Sequence, residues 1–220
     1  MPVVFPAHGL ICTITMLSET PISMKNGDFS QRERILQAAA KLFASRGFHA
    51  VGMTELQEAV QLGRGALYHH IGSKEELLYD ISREYISDLL EQALSTAEEA
   101  DPRKRIELLG SQLVLKIASH QAELTVCFRE VQSLTEGRHA EVMELHSRYE
   151  NVWRTAMKQG AQTGCFRPYD SVVLKGVLGM YFYSYLWLKP GGALGADVIA
   201  NQLNELALRM LAGEAASMRI

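Results

Sequence analysis

The chain has 220 residues, 47% of them hydrophobic, so it is long enough to bury a substantial core. Its formal net charge of -3 excludes a strongly basic overall field as the basis for binding nucleic acid. Any binding of a polyanion must therefore depend on the local placement of a few side chains.

Cysteine usage and hydropathy predict the compartment. Cys12, Cys127 and Cys165 are far apart in the chain and have no metal-ligand spacing, which is typical of a reducing cytosol. No apolar run approaches the roughly 20 residues that span a bilayer. We therefore expect a cytoplasmic protein without a membrane partner.

Residues 1–29 lack the cationic start of a secretory signal, so we expect them to be either a disordered leader or an over-extended start. We expect residues 214–220 to form a tail.

The first predicted helix is bounded at both ends. Ser30 and Glu33 have the spacing of a capping box, and Gly47 is a stop signal. Between them apolar side chains recur at helical spacing. This stripe consists of Ile35, Leu36, Ala39, Leu42 and Phe43.

Two short helices and a long one follow. One begins near Gly52 or Thr54, either of which can act as its N-cap, and ends near Gln61. The next covers Arg64 to His70, and Ser73 caps a long helix that we expect to reach about Glu99. Two helices of about two turns joined by a tight turn are typical of a helix-turn-helix, here at about 52–71.

The rest of the chain is also predicted to be helical, and no strand-like alternation persists. The further helices are expected at about 102–119, 121–135, 138–163, 170–188 and 196–212. The predicted fold class is all-α: an N-terminal three-helix DNA-binding unit at residues 30–80, followed by a helical bundle at 81–213.

The segment RGALYHH suits a helix that enters the DNA major groove. Gly65 and Ala66 permit a close approach, and Arg64 can make a bidentate contact to a guanine edge. Tyr68 and His69 can donate to phosphates or bases. Lys74, at the start of the next helix, is placed to contact a phosphate. Any one of these residues could equally be an ordinary surface or core residue, so the inference depends on their combination.

Residues 31–80 resemble the DNA-binding domain of TetR-type transcriptional regulators. The shared features are the R-x-x-I-L-x-A-A-x-x-L-F-x-x-x-G first helix, the L-Y-x-H close and the S-K-E-x-L start. The resemblance implies that Arg64 to His70 is the recognition helix and that Arg64 is its main base reader. It also implies backbone contacts by Tyr68, His69, Lys74 and the start of the second helix, Gly52 to Thr54.

Three positions depart from the family pattern. Gln61 replaces the usual turn glycine, so it must adopt a left-handed conformation or shift the turn. Gly63 replaces a hydroxyl residue at the cap of the recognition helix, and Ile71 replaces a common Phe. Residues 32–80 carry equal numbers of cations and acids, so one unit should bind weakly and a dimer on a palindromic operator is expected.

The family resemblance implies that the C-terminal bundle dimerises and encloses an inducer pocket. The segment LKGVLGMYFYSYLWLKPGG is apolar on all sides, so we expect a homodimer through the last two helices, with a core helix as the alternative. Met and aromatic residues adapt to small ligands but more often form core. The candidate ligand-binding residues are Phe128, Met143, Tyr149, Trp153, Met180 and Tyr183.

The layout from about Tyr149 onward is similar to TetR-type regulators of fatty-acid and steroid catabolism, whose ligands are acyl-CoA thioesters. Arg129, Arg148 or Arg154 could then hold the phosphates if they face the pocket mouth. The alternative is a sensor of hydrophobic drugs that controls an efflux pump. A helical enzyme is disfavoured because the chain lacks HExxH, nucleophile and phosphate-loop motifs, and no metal or cofactor is expected.

Overall fold

The computed structural model describes residues 30–213, and the expectations for residues 1–29 and 214–220 lie outside this range. The described part contains nine α-helices and no strand, which confirms the predicted fold class. Short 3-10 turns follow α6 and α8, at Val131–Ser133 and Ser184–Leu186. The helices are α1 (Gln31–Arg46), α2 (Met53–Val60), α3 (Arg64–His70), α4 (Lys74–Leu94), α5 (Pro102–Ser119), α6 (Gln121–Glu130), α7 (Glu136–Gln162), α8 (Ser171–Tyr183) and α9 (Ala196–Leu211).

The three N-terminal helices share one small core with the start of α4. The capping box of Ser30 and Glu33 is confirmed at the start of α1, and Gly47 ends the helix with a positive φ of 87°. Gly52, and not Thr54, caps α2. The buried residues of this core include Ile35, Leu36, Ala39, Phe43, Leu56, Val60, Leu67, Ile71, Leu77 and Leu78.

The larger bundle is built from α4 to α9. Helix α4 packs along α7, and α5 packs along α9 and α7. Helix α1 packs against α6 as well as α2, so the N-terminal unit rests on the bundle. Because α4 belongs to both parts, it connects them rigidly.

Three helices end earlier than expected. Helix α4 stops at Leu94 because the hydroxyls of Ser95 and Thr96 donate to the carbonyls of Gln92 and Ala93, at 2.7 and 2.8 Å, and compete with the helical pattern. Helix α6 ends at Glu130, and α8 ends at Tyr183, each in a 3-10 turn.

Polar contacts fasten the start of α4 to the start of α7. Glu75 forms an ion pair with Arg138 and accepts hydrogen bonds from the backbone and hydroxyl of Thr135, both at 3.1 Å. Tyr79 donates to Glu141 one turn further along. A change in the position of α7 would therefore be transmitted to the helix that leads directly out of the helix-turn-helix.

The described residues contain neither a candidate membrane span nor a candidate metal cluster. Between residues 30 and 213, no helix is both long and apolar enough to cross a membrane. In the same range no group of three or more His, Cys, Asp or Glu side chains is placed to hold a metal ion.

Candidate nucleic-acid interface and effector-binding bundle

The turn between α2 and α3 depends on Gln61. Its φ and ψ of 55° and 39° are left-handed, which confirms the first of the two alternatives expected for this position. Its backbone N–H donates to the carbonyls of Gln57 and Glu58, and the next N–H, of Leu62, donates to Gln57 at 3.1 Å. The helix-turn-helix therefore closes without the usual glycine.

Helix α3 has a buried face and an exposed face. Leu67 is fully buried and Ile71 is 3% exposed, as their i, i+4 spacing predicts. The opposite face is open to solvent, and the Arg64 guanidinium carbon lies 5.7 Å from the centre of the Tyr68 ring. This cation–π contact holds the two side chains next to one another. The exposed residues of α3 are Arg64, Gly65, Ala66, Tyr68 and His69.

Glycines on this surface have no packing role within the chain. A Cβ atom added to Gly52, Gly63 or Gly65 would meet nothing within 4 Å. Thr54 is exposed in the first turn of α2, and because Gly52 is the cap, the Thr54 hydroxyl is free of that role. The surface formed by the N-terminal ends of α2 and α3 is thus open to the close approach of a partner.

Lys74 makes contacts that local sequence did not predict. Its ammonium donates to the carbonyls of Phe48 and Val51, at 2.8 and 2.9 Å, and lies 4.4 Å from the centre of the Phe48 ring. These bonds fix the loop that leads into α2. One donor hydrogen is left over, so a phosphate contact by Lys74 stays a prediction while its role in positioning α2 is visible.

Ion pairs occupy two of the six cations in this unit. Arg32 pairs with Asp80 at 2.8 Å and also with Glu84, and Arg46 pairs with Glu55. Four cations have no carboxylate partner among residues 30–213, and they are Arg34, Lys41, Arg64 and Lys74. Few positive charges are therefore available to neutralise phosphates.

The six candidate ligand-binding residues do not converge on one cavity. Phe128 and Tyr149 both contact Phe182, with ring centres 5.5 and 6.1 Å apart. Trp153 instead contacts Tyr181, at 5.4 Å. The candidates inside the bundle thus form two aromatic groups on the inner side of α8.

The remaining three candidates lie on α7 and α8, and they are Met143, Met180 and Tyr183. Met143 and Met180 are half-buried. Tyr183, in the last turn of α8, is 63% exposed, and its role in ligand binding stays a prediction. Helical spacing alone could not identify which side of an all-apolar helix faces the bundle.

The interior between α4, α5 and α7 contains polar groups that sequence reasoning missed. The Tyr85, Tyr149 and Trp153 side chains are buried, and among residues 30–213 the Tyr85 hydroxyl and the Gln112 side-chain carbonyl oxygen have no hydrogen-bond partner. Each such group costs about 1–3 kcal/mol. Burial raises the pKa of both phenols, so these hydroxyls stay protonated and can donate. Tyr85 and Gln112 interrupt otherwise apolar helical stripes, the signal that could have identified them.

Comparison with protein-family models gave two matches. A model described as "Bacterial regulatory proteins, tetR family" matches residues 35–81. A second, described as "Tetracyclin repressor-like, C-terminal domain", matches residues 99–211. The two matches cover the helix-turn-helix and the bundle respectively.

Similar proteins of known type include regulators of the same size. The HTH-type transcriptional repressor KstR2 of Rhodococcus jostii is 27% identical over 200 residues, covering 89% of this chain and 98% of the relative. The structure of the ketosteroid transcriptional regulator KstR2 of Mycobacterium tuberculosis superposes with a TM-score of 0.79 at 26% identity, covering 86% of this chain and 98% of that one. The structure of AibR in complex with isovaleryl coenzyme A and operator DNA gives a TM-score of 0.71 at 29% identity, covering 83% and 98%.

Proposed function

We propose, from the premise that the chain belongs to the TetR family of bacterial transcriptional regulators, that it represses genes by binding a palindromic operator as a homodimer until an inducer binds. The family consists of ligand-responsive DNA-binding regulators rather than enzymes, and this chain is one of them. The observation that carries the proposal is the exposed face of α3. This helix lies within residues 35–81, which the family model matches, and contacts among the described residues do not explain the glycines on and beside that face. Because the proposed operator is part of the bacterial DNA, we expect the protein to act in the cytoplasm.

The proposed DNA-binding unit is residues 30–80. Arg64 is exposed and lacks a carboxylate partner among the described residues, so it is available for a bidentate contact to guanine. Gly65 and Ala66 allow α3 to approach the groove. The proposed backbone contacts come from Gly52, Thr54, Tyr68, His69 and Lys74. The backbone contacts would fix the register and orientation of the protein on the DNA, and Arg64 would recognise the base sequence.

The proposed dimer forms through α8 and α9 within the effector-binding part, residues 81–213. Among residues 30–213, eight of the thirteen exposed large hydrophobic residues lie from position 172 onward. Exposed apolar area concentrated on one face marks an interaction surface. These residues are Val172, Tyr183, Leu186, Trp187, Leu194, Val198, Leu206 and Met210. Two copies present two recognition helices, which compensates for the small charge of one unit.

The proposed inducer is an acyl-CoA thioester. The structural neighbour AibR was solved in complex with isovaleryl coenzyme A and operator DNA. The sequence relative KstR2 of Rhodococcus jostii is named a transcriptional repressor, and the structure of KstR2 of Mycobacterium tuberculosis is described as that of a ketosteroid transcriptional regulator. The buried Tyr85 hydroxyl, a donor without a partner among residues 30–213, suits a ligand with a carbonyl group. The alternative is a hydrophobic drug, which the stacked rings of Phe128 and Tyr185 favour, since their centres lie 5.5 Å apart and Phe128 is 39% exposed.

The inducer would act through α4 and α7. It can shift the protein from the operator-binding state only by its differential affinity for the two states. The pair Glu75 and Arg138 joins the start of α7 to the first turn of α4, directly after α3. A ligand that moves α7 would thus alter the separation of the two recognition helices.

The test is release of the dimer from its operator, measured by fluorescence anisotropy. A labelled operator is titrated with medium-chain and steroid-derived acyl-CoA thioesters, with the matching free acids and with a hydrophobic cationic dye. We expect at least one thioester to release the DNA where its free acid does not. Release by the dye, with every thioester inactive, would contradict the acyl-CoA assignment and support the drug sensor.

A further inference from the structure

A groove of about 490 Å³ lies between the C-terminal end of α4, the start of α5 and the middle of α7. It is distinct from the aromatic groups on α8. Its apolar floor consists of Leu90, Leu94 and Val152. Its basic lining consists of Arg105, Arg148 and Arg154. We call it the arginine groove.

Arg105 is an unusual residue in this lining. It is only 5% exposed, and its Nε has no hydrogen-bond partner. One terminal nitrogen donates to the side-chain carbonyl of Gln159, and the guanidinium has no carboxylate partner between residues 30 and 213. Burial lowers the pKa of the Arg105 guanidinium. A buried charge without a counter-charge destabilises the fold, so Arg105 is placed to receive an anion.

The other two arginines extend the positive charge along the groove. Arg148 is exposed and has no ion-pair partner in the part of the chain that the structure describes. Arg154 donates to Glu150 at 2.7 Å and to Asn151 at 3.0 Å, so its charge is partly neutralised. One carboxylate, of Glu144, also lines the groove. Two guanidiniums without carboxylate partners therefore remain for a bound anion.

We propose that the arginine groove binds the phosphate-bearing end of an amphiphilic ligand, with Arg105 and Arg148 holding the phosphates. The inference rests on the proposed acyl-CoA inducer and assigns a place to its coenzyme A part. Guanidiniums match phosphate oxygens in paired, charge-assisted hydrogen bonds. The adjacent floor includes Leu94, which is 48% exposed, and can accommodate an apolar portion of the same molecule.

Calorimetric titration of the full-length protein tests the site. The probes are coenzyme A, adenosine 3′,5′-bisphosphate and inorganic pyrophosphate, which separate an amphiphilic ligand from a free phosphate. The variants are Arg105→Met and Arg148→Ala. Arg103→Met is the matched control, because Arg103 is exposed on the same helix but does not line the groove.

We expect coenzyme A to bind the wild type more tightly than either smaller probe. Loss of one guanidinium should raise the Kd for coenzyme A by about 10- to 100-fold, since hydrogen bonds to charged groups contribute about 1.5–3 kcal/mol. The control should keep the wild-type Kd. An unchanged Kd in both groove variants would overturn the proposal, as would pyrophosphate binding as tightly as coenzyme A.

Two further measurements keep the outcomes separate. Without ligand, the Arg105→Met variant should melt at a temperature no lower than that of the wild type, because the substitution removes a buried unpaired charge.

Release of the operator by acyl-CoA separates the arginine-groove proposal from the proposed acyl-CoA-responsive function. If no thioester releases the wild type, the acyl-CoA function fails. If a thioester releases wild type and Arg105→Met at equal concentrations, the groove assignment fails and the function stands.

Discussion

Gly65 lies in the first turn of α3 on its exposed face, where an added Cβ would meet nothing within 4 Å among residues 30–213. A glycine inside a helix costs about 1 kcal/mol relative to alanine. Folding alone therefore gives no reason for glycine at this position. Close approach to DNA does, because a methyl group would project into the space between helix and groove.

Gly65→Ala should separate stability from DNA binding. We expect the free energy of unfolding to rise by about 0.5–1 kcal/mol, measured by urea denaturation. Operator affinity should fall at least about fivefold, which corresponds to about 1 kcal/mol. Gly137→Ala is the matched control: Gly137 lies exposed in the first turn of α7, also without a neighbour within 4 Å, and its variant should bind operator normally. Unchanged affinity in Gly65→Ala would remove the close-approach argument.

Predictions at the residue scale succeeded where the cause was local. The left-handed Gln61 follows from the tight turn, and the burial of Leu67 and Ile71 follows from their spacing. The contacts of Lys74 could not be predicted, because its partners Phe48 and Val51 lie 26 and 23 residues away in the chain. Their position depends on how α1 and α4 cross.

At the scale of elements, helix starts were predictable where a side chain caps the first turn. Ser30, Ser73 and Asp101 each accept a hydrogen bond from the first turn of a helix. Helix ends were less predictable. The end of α8 lies where Gln121 of α6 donates to the carbonyls of Tyr185 and Leu188, at 2.6 and 2.9 Å, a long-range contact that no local pattern contains.

Helix α9 provides the element-scale test of the dimer. Leu206→Glu would place a carboxylate in each half of the proposed interface and should raise the dimer Kd by about 100-fold or more, since each buried unpaired group costs about 1–3 kcal/mol. Sedimentation velocity measures the shift to monomer. Leu115→Glu on α5 is the control, because Leu115 is 48% exposed and Leu206 is 46% exposed. If both variants remain dimeric, α9 is not the interface.

At the scale of the whole molecule, the two halves differed in what sequence could predict. The DNA-binding unit is short, and each functional side chain lies on a helix whose faces its own pattern fixes. The effector-binding residues come from α4 to α8, so their arrangement depends on how five helices pack. This is why Arg105, a buried charge without a carboxylate partner among residues 30–213, could not be identified from sequence.

The central claim is that α3 of a dimer reads operator sequence through Arg64. The most direct measurement first selects genomic fragments with the wild-type protein, then compares Kd values for the selected operator and for a scrambled duplex. The proteins are wild type, Arg64→Ala and, as control, Arg103→Ala, whose exposed arginine lies beyond the far end of α4.

We predict that Arg64→Ala loses about 10- to 100-fold in affinity for the operator, the value of one bidentate base contact, and little for the scrambled duplex. Arg103→Ala should match the wild type on both. An equal loss of affinity on operator and scrambled DNA would show that Arg64 contacts only the backbone, and would contradict the account.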